Sequence, residues 1–367
     1  MKLLTVLMVL AGTALFFATE ARNAPDRNEW SISRGDTADS VQFAIESRHA
    51  NGRWRTSSPI SFASLKGLTR EQMGAVSSTV KFEVARDAGT LVCDGTLHFG
   101  RGSGPFTFTL NPAYQQELEK LGFRLPSDRR PLDYFVMDVS LDYAKAVREA
   151  DPSATGEDLV DMRAHGVDRE YLNGMRDAGL KDLHARDYIE MRNHGVSAEY
   201  ARDVKRTGFD ADSQSLVLFR NHGVNADFVA ELRRAGYDEP ADSIVNMRNH
   251  GVDARYIQQL EAAGVKPDAD DIVEFKNRGV GPEYLKGLKD AGYADLTREQ
   301  VIHLRDHGVE PGFVRDAKSL GYAFTPDEFV DMRNNGVDSN YLRKVRASGF
   351  ENLTAEKIIK LRRHGVD

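Results

Sequence analysis

Eight variants of the pentapeptide RNHGV recur every 28 or 29 residues between Arg163 and the end of the chain, and they restrict the fold more than any feature of composition. Their glycines are Gly166, Gly195, Gly223, Gly251, Gly279, Gly308, Gly336 and Gly365. A second glycine follows each of the first seven at a constant distance of 13 residues, from Gly179 to Gly349. Self-similarity at a fixed period of this size marks a stacked array, in which each unit is a supersecondary element unable to bury its apolar face alone.

Each unit reads as two short helices. In the stretch from Thr325 to Gly349, Thr325, Pro326 and Glu328 form an N-cap, a proline at the first helical position and the acid of a capping box. Gly336 can take the left-handed conformation that closes the helix, with Val337 packing back on Met332. Asp338 then caps a second helix, which Gly349 closes. The second-helix caps predicted along the chain are Asp168, Ser197, Asn225, Asp253, Gly281, Glu310 and Asp338, with Glu310 the weakest. Such short helices are marginal in isolation, so stacking must stabilise them. An apolar stripe on the first helices and one aromatic per second helix (Tyr171, Tyr200, Phe228, Tyr256, Tyr284, Phe313, Tyr341) supply the buried surface. Gly251 is expected to need a positive φ, whereas Gly174, inside a helix, reads as a place where alanine would stabilise.

The array starts before its obvious motif. Asn111, Pro112, Tyr114, Leu118, Gly122 and Phe123 match a second helix, residues 127–138 fit a worn first helix, and Ser140 with Tyr143 opens another second helix whose closing glycine has become Asp151.

Between about Asn28 and Leu110 the apolar period is two instead: Val41, Phe43 and Ile45, then Val80, Phe82 and Val84, then Leu91 and Cys93, then Phe106, Phe108 and Leu110. Asn51-Gly52 and Asp87-Ala88-Gly89 are hairpin signals between such runs. Gly100, Gly102 and Gly104 lead into a strand rather than a helix, so they read as a glycine-rich hairpin and not as a phosphate loop. Cys93, the only cysteine, excludes an internal disulfide and reads as a buried apolar residue.

Met1 to Ala21 has Lys2, an apolar run from Leu3 to Ala18 and small residues at Thr19 and Ala21, the layout of a secretory signal. The run is shorter than the roughly 20 residues that a spanning helix needs. An extracytoplasmic chain, periplasmic or secreted, with no membrane span after cleavage, is therefore expected.

No HExxH, GxSxG or P-loop motif occurs, and no cysteine stands beside a histidine and an acid. His165, His194, His222, His250, His307 and His364 precede closing glycines, one per unit. Neighbouring units are about 10 Å apart, so this row cannot converge on one ion; neither metal nor cofactor is expected. The histidines are expected to meet the carbonyls at their own helix ends. Two residues before these positions runs a basic file: Arg163, Arg192, Arg220, Arg248, Lys276, Arg305, Arg333 and Arg362. It reads either as dipole compensation or as a ladder for carboxylate or phosphate groups of an extended partner. From Ser140 onward 33 Lys or Arg face 41 Asp or Glu, so the array is acidic and a nucleic-acid partner is not expected.

With its RNHGV, AGY and RDAGT elements, the chain from Val80 to Asp367 resembles the bacterial helical-repeat modules that follow the peptidase part of penicillin-sensing receptor-type membrane metallopeptidases. That peptidase part is absent here, so the resemblance implies an extracytoplasmic repeat module and carries no proteolysis. Together these readings predict a mainly α protein: a signal peptide over 1–21, a small antiparallel β domain over 28–110, and an α-solenoid of about eight two-helix repeats over 111–367. The expected role is a non-catalytic scaffold for a protein or peptide, an anionic one if the basic file takes part. The alternative is a small-ligand receptor or enzyme with its site in the β domain or at its junction with the helices, for instance a cleft near Arg86, Asp87 and Asp94. The last helix, with Ile358, Ile359 and Leu361 uncovered by a following helix, is expected to offer a route to self-association.

Overall fold

A computed structural model describes residues 27–37, 39–49, 52–125, 131–350 and 353–366. The predicted signal segment, Asn51 of the first hairpin signal and the first residues of the worn helix lie outside them. Among the described residues the chain is mainly α, with 19 α-helices, 18 of which follow a seven-stranded antiparallel sheet in sequence. It divides into two compact units: one holds the residues up to Asn173 together with Asp182–Ile189, the other Gly174–Lys181 and the residues from Glu190 on.

In the first unit, strands β1 (Arg27–Arg34), β2 (Ser40–His49), β3 (Gly52–Ser61), β4 (Leu65–Lys66), β5 (Ser78–Arg86), β6 (Gly89–His98) and β7 (Arg101–Leu110) pair in the order β3-β2-β1-β7-β6-β5-β4. Two meanders thus join where β1 meets β7. The period-two residues make the core: Val41, Phe43, Ile45, Val80, Phe82, Val84, Leu91, Cys93 and Phe106 are all buried, together with Trp30 and Ile32 of β1. Cys93 is fully buried, and burial first, then the nearby Asp94, pushes its thiol pKa up to about 12, so it packs as a small apolar residue. The glycines around the β6–β7 hairpin serve packing. A Cβ on Gly95 would stand 2.7 Å from the Trp30 indole, and one on Gly104 would stand 2.0 Å from the Asp94 carbonyl oxygen. The indole Nε1–H donates to that carbonyl at 2.9 Å.

Helix α1 (Arg70–Gly74) lies between β4 and β5 in sequence; α2 (Pro112–Lys120) opens the helical part. Asn111 caps α2 through the Ala113 N–H, and Gly122 closes it at φ +82°. Helix α3 (Pro131–Val136) is the worn first helix, cut to six described residues. Asp138, at φ +52°, takes the place of its closing glycine. Helix α4 (Leu141–Ala150) is capped by Ser140 as expected.

From α5 (Gly156–Ala164) and α6 (Arg169–Asp177) onward, the helices alternate as first and second members of each unit. Val167 N–H donates to Met162 O and Gly166 N–H to Arg163 O, the two bonds of the Schellman closure. The same pair recurs down to Val366 and Gly365. Asp168, Ser197, Asn225, Asp253 and Asp338 cap their helices through the predicted side-chain oxygens. Gly281 and Glu310 make no such bond; Glu310 turns instead to Arg305, at 2.9 Å. In the second unit first helices pack on first helices of the next repeat and second on second, which is the stacking of an α-solenoid.

One expectation fails. A Cβ on Gly174 would stand 2.7 Å from the Ala198 Cβ, and one on Gly287 2.7 Å from Pro311. These mid-helix glycines let adjacent second helices approach, so propensity is overridden by packing.

Candidate functional site

The basic file is woven into the repeats. The guanidinium of Arg220 lies 5.1 Å over the Tyr200 ring while its Nε–H donates to Gly195 O at 3.1 Å. Arg333 does the same with Phe313 and Gly308 O. Arg163 stacks on Tyr143 and reaches Met137 O at 3.0 Å. Arg248 lies over Phe228, Lys276 over Tyr256, Arg305 over Tyr284 and Arg362 over Tyr341. Each cation thus sits on the aromatic of the preceding unit, and where Nε donates it also meets a carbonyl at the preceding first helix's C-terminus, where positive charge is favoured. Arg192 is exposed and has interactions of its own.

A second file occupies the same offset, three residues before the second-type glycines, and sequence reading passed over it. Arg148 stacks 3.9 Å over Phe123 and donates to Leu121 O, and Lys318 donates to Ala291 O at 3.1 Å. Arg233 stands 3.6 Å from where a Gly208 Cβ would be. The legible signal was the shared spacing.

The aromatic file is inter-repeat core. Six of its seven rings are buried and Tyr200 is half-buried. The phenols of Tyr200, Tyr256, Tyr284 and Tyr341 donate to the carbonyls of Val224, Val280, Val309 and Val366 in the next unit, at 2.6–2.8 Å.

The histidine row corrects the expectation that these rings meet their own helix ends. His194, His222, His250 and His307 instead pair through Nδ1 with the Oδ1 of Asn221, Asn249, Asn277 and Asn334, at 2.7–3.1 Å. The partner is the asparagine one place earlier in the next unit's motif. Where the histidine is replaced the rung persists: Arg278 meets Asp306 at 3.0 Å, and Asn335 meets Arg363 at 2.7 Å. The result is six consecutive exposed polar rungs in the second unit. The helix-end carbonyls are already taken by the Schellman bonds and the basic file, which is why the rings turn outward.

Arg86 and Asp87, the proposed cleft residues, are occupied within the first unit. Arg86 donates to Val136 O at 3.0 Å and pairs with Asp138 at 3.5 Å; the Asp87 carboxylate accepts from Leu141 N–H at 2.9 Å. Asp94 faces Lys81 at 3.6 Å. A cavity of about 360 Å³ opens elsewhere on the sheet, lined by Arg34, Phe62, Arg70 and Met73.

One cluster has the composition of a hydrolytic triad. Ser153 Oγ and Asp151 Oδ1 lie 3.2 and 3.5 Å from His184 Nδ1. Both contact the same ring nitrogen, however, and the Ser153 hydroxyl donates to Asp151 at 2.6 Å. A base positioned by an acid needs its two nitrogens divided between nucleophile and acid, so this cluster is a loop clasp. Asp151 also accepts from Ala185 N–H at 2.8 Å. Burial raises its pKa, but the bonds from Ser153 and Ala185 outweigh that and hold it below the usual carboxylate value.

Among the described residues no group of three or more His, Cys, Asp or Glu gathers for a metal ion, and no helix is long and apolar enough to cross a membrane. Comparisons with family models, with curated proteins and with solved structures return no match.

Proposed function

We propose that this chain is a non-catalytic helical-repeat scaffold that binds an extended protein or peptide segment along the polar ladder. The observation that carries this reading is the run of six exposed rungs, His194–Asn221 through Asn335–Arg363. A histidine whose Nδ1–H donates to an asparagine oxygen keeps Nε2 as an acceptor, and the asparagine keeps its NH₂ donors. A donor and an acceptor therefore recur at each histidine rung, matching the alternating C=O and N–H groups of an extended chain. Arg220, Arg248 and Arg333 keep exposed area two residues before their rungs, which favours an anionic segment. Placement outside the cytoplasm rests on the layout of residues 1–21 and on the resemblance to extracytoplasmic repeat modules.

Selection from a random peptide display library tests the reading. Enriched peptides should lose binding to a His222→Ala/His250→Ala double variant, with a small change in melting temperature. Selection that enriches nothing, or peptides indifferent to the double variant, would overturn it.

A further inference from the structure

His303 breaks the pattern of its unit. Four residues before the pre-glycine position the other units carry Asp161, Glu190, Leu218, Asn246, Glu274, Asp331 and Lys360, so only this unit has histidines at i and i+4, His303 and His307. His303 lies in the last turn of α15 (Arg298–Asp306) and His307 is its C-cap; four residues apart, they share one face, and both are exposed. Their ring centres are 4.7 Å apart, with the planes at 71°.

That separation suits chelation. Metal–nitrogen bonds of about 2.0–2.1 Å, at angles between octahedral and tetrahedral values, place two imidazole centres roughly 4.6–5.3 Å apart. His307 is already oriented: its Nδ1 is 2.9 Å from Asn334 Oδ1, and the tautomer that satisfies this acceptor carries its proton on Nδ1 and leaves the Nε2 lone pair for a ligand. A ligating histidine characteristically has its other ring nitrogen held in this way. The His303 ring makes no hydrogen bond among the described residues, and being exposed it can turn its Nε2 toward the same point.

We propose that His303 and His307 form a two-imidazole site for a divalent transition-metal ion, with Asn334 of the next unit as the positioning residue and water completing the coordination. Borderline-soft ions that favour imidazole, Cu²⁺ above Ni²⁺ and Zn²⁺, are the expected occupants. The row of pre-glycine histidines cannot converge across units, as its spacing implies; this pair converges within one.

Calorimetric titration of the tag-free full chain with Ni²⁺ and Zn²⁺, joined by Cu²⁺ electron paramagnetic resonance, decides it. The expected result is one equivalent bound with two nitrogen ligands in the Cu²⁺ spectrum. His303→Ala and His307→Ala should each abolish it, and His222→Ala should not. Asn334→Ala should weaken binding by about 10-fold or more while leaving both ligands in place. Absence of binding to the native chain, uptake that survives His303→Ala unchanged, or equal loss in His222→Ala would overturn the proposal. Exposed His303 is not part of the core, so its variant should keep the native melting temperature without metal.

Discussion

The phenol of Tyr256 donates to the carbonyl of Val280 at 2.7 Å, and the hydroxyl of Tyr143, at the same place in an earlier unit, is buried with no hydrogen-bond partner. Two tyrosines at one repeat position therefore have opposite value. Removing the Tyr256 hydroxyl leaves a buried carbonyl unsatisfied, whereas removing that of Tyr143 removes a buried polar group that gains nothing. Tyr256→Phe should lower stability by about 1 kcal/mol. Tyr143→Phe should be neutral or stabilising. Chemical denaturation of the two variants checks the pair.

Alkali should weaken the same joints. Burial pushes the phenol pKa of Tyr200, Tyr237 and Tyr256 up to about 12 from an ordinary 10.0. A raised pKa means that the folded state holds the proton more tightly. The contribution is complete below the unfolded value and is lost as pH rises from there toward the folded one. Melting temperature should therefore fall steeply between about pH 10 and 12. Tyr256→Phe should reduce that slope, as melts across the range would show.

Acid acts through Asp151. Its folded pKa is held below the ordinary 3.8, so its contribution is present above that value and is lost as pH falls through the folded one. Asp151→Asn should remove this acid-limb dependence and lower stability near neutral pH. Local amide exchange at Ala185, whose N–H the carboxylate accepts, should quicken.

Two glycine variants separate backbone strain from packing. Gly251→Ala meets a φ of +71° and should cost on the order of 1 kcal/mol. Gly174→Ala should also destabilise, by about 1–3 kcal/mol, because the added methyl overlaps Ala198. Combining it with Ala198→Gly should restore part of the loss, since the two sites touch. A double-mutant cycle measures the recovery.

The clamp made by Arg220 should be structural as well as a candidate contact. Arg220→Ala removes both the stack on Tyr200 and the bond to Gly195 O, and should cost about 1 kcal/mol or more. Arg220→Lys should recover less than half, because an ammonium cannot stack and donate from Nε together. Thermal melts of the two variants give the comparison.

Element identity and order were legible because they depend on local rules: a cap, a period and a closing glycine announce each helix, and alternation announces each strand. Asn111, Gly122 and Ser140 were readable for that reason, as were Cys93 and the glycine-rich hairpin. What a side chain does after its helix is built depends on the neighbouring unit, 25 to 30 residues away, and local rules do not reach that far. The sequence showed histidines before the glycines, but only stacking pairs them with asparagines of the next repeat. Gly174 looked like a weak spot in a helix until Ala198 was placed against it. Arg220 and Arg333 read either as dipole compensation or as part of a ladder for a partner; only the stack sets them on the aromatics and carbonyls of the preceding unit. His303 attracted no notice because its partner is found by helical geometry and the orienting Asn334 by the stack. The periodic code specifies each unit; the contacts between units, where burial and hydrogen-bond satisfaction compete for the same groups, decide which polar side chains remain at the surface.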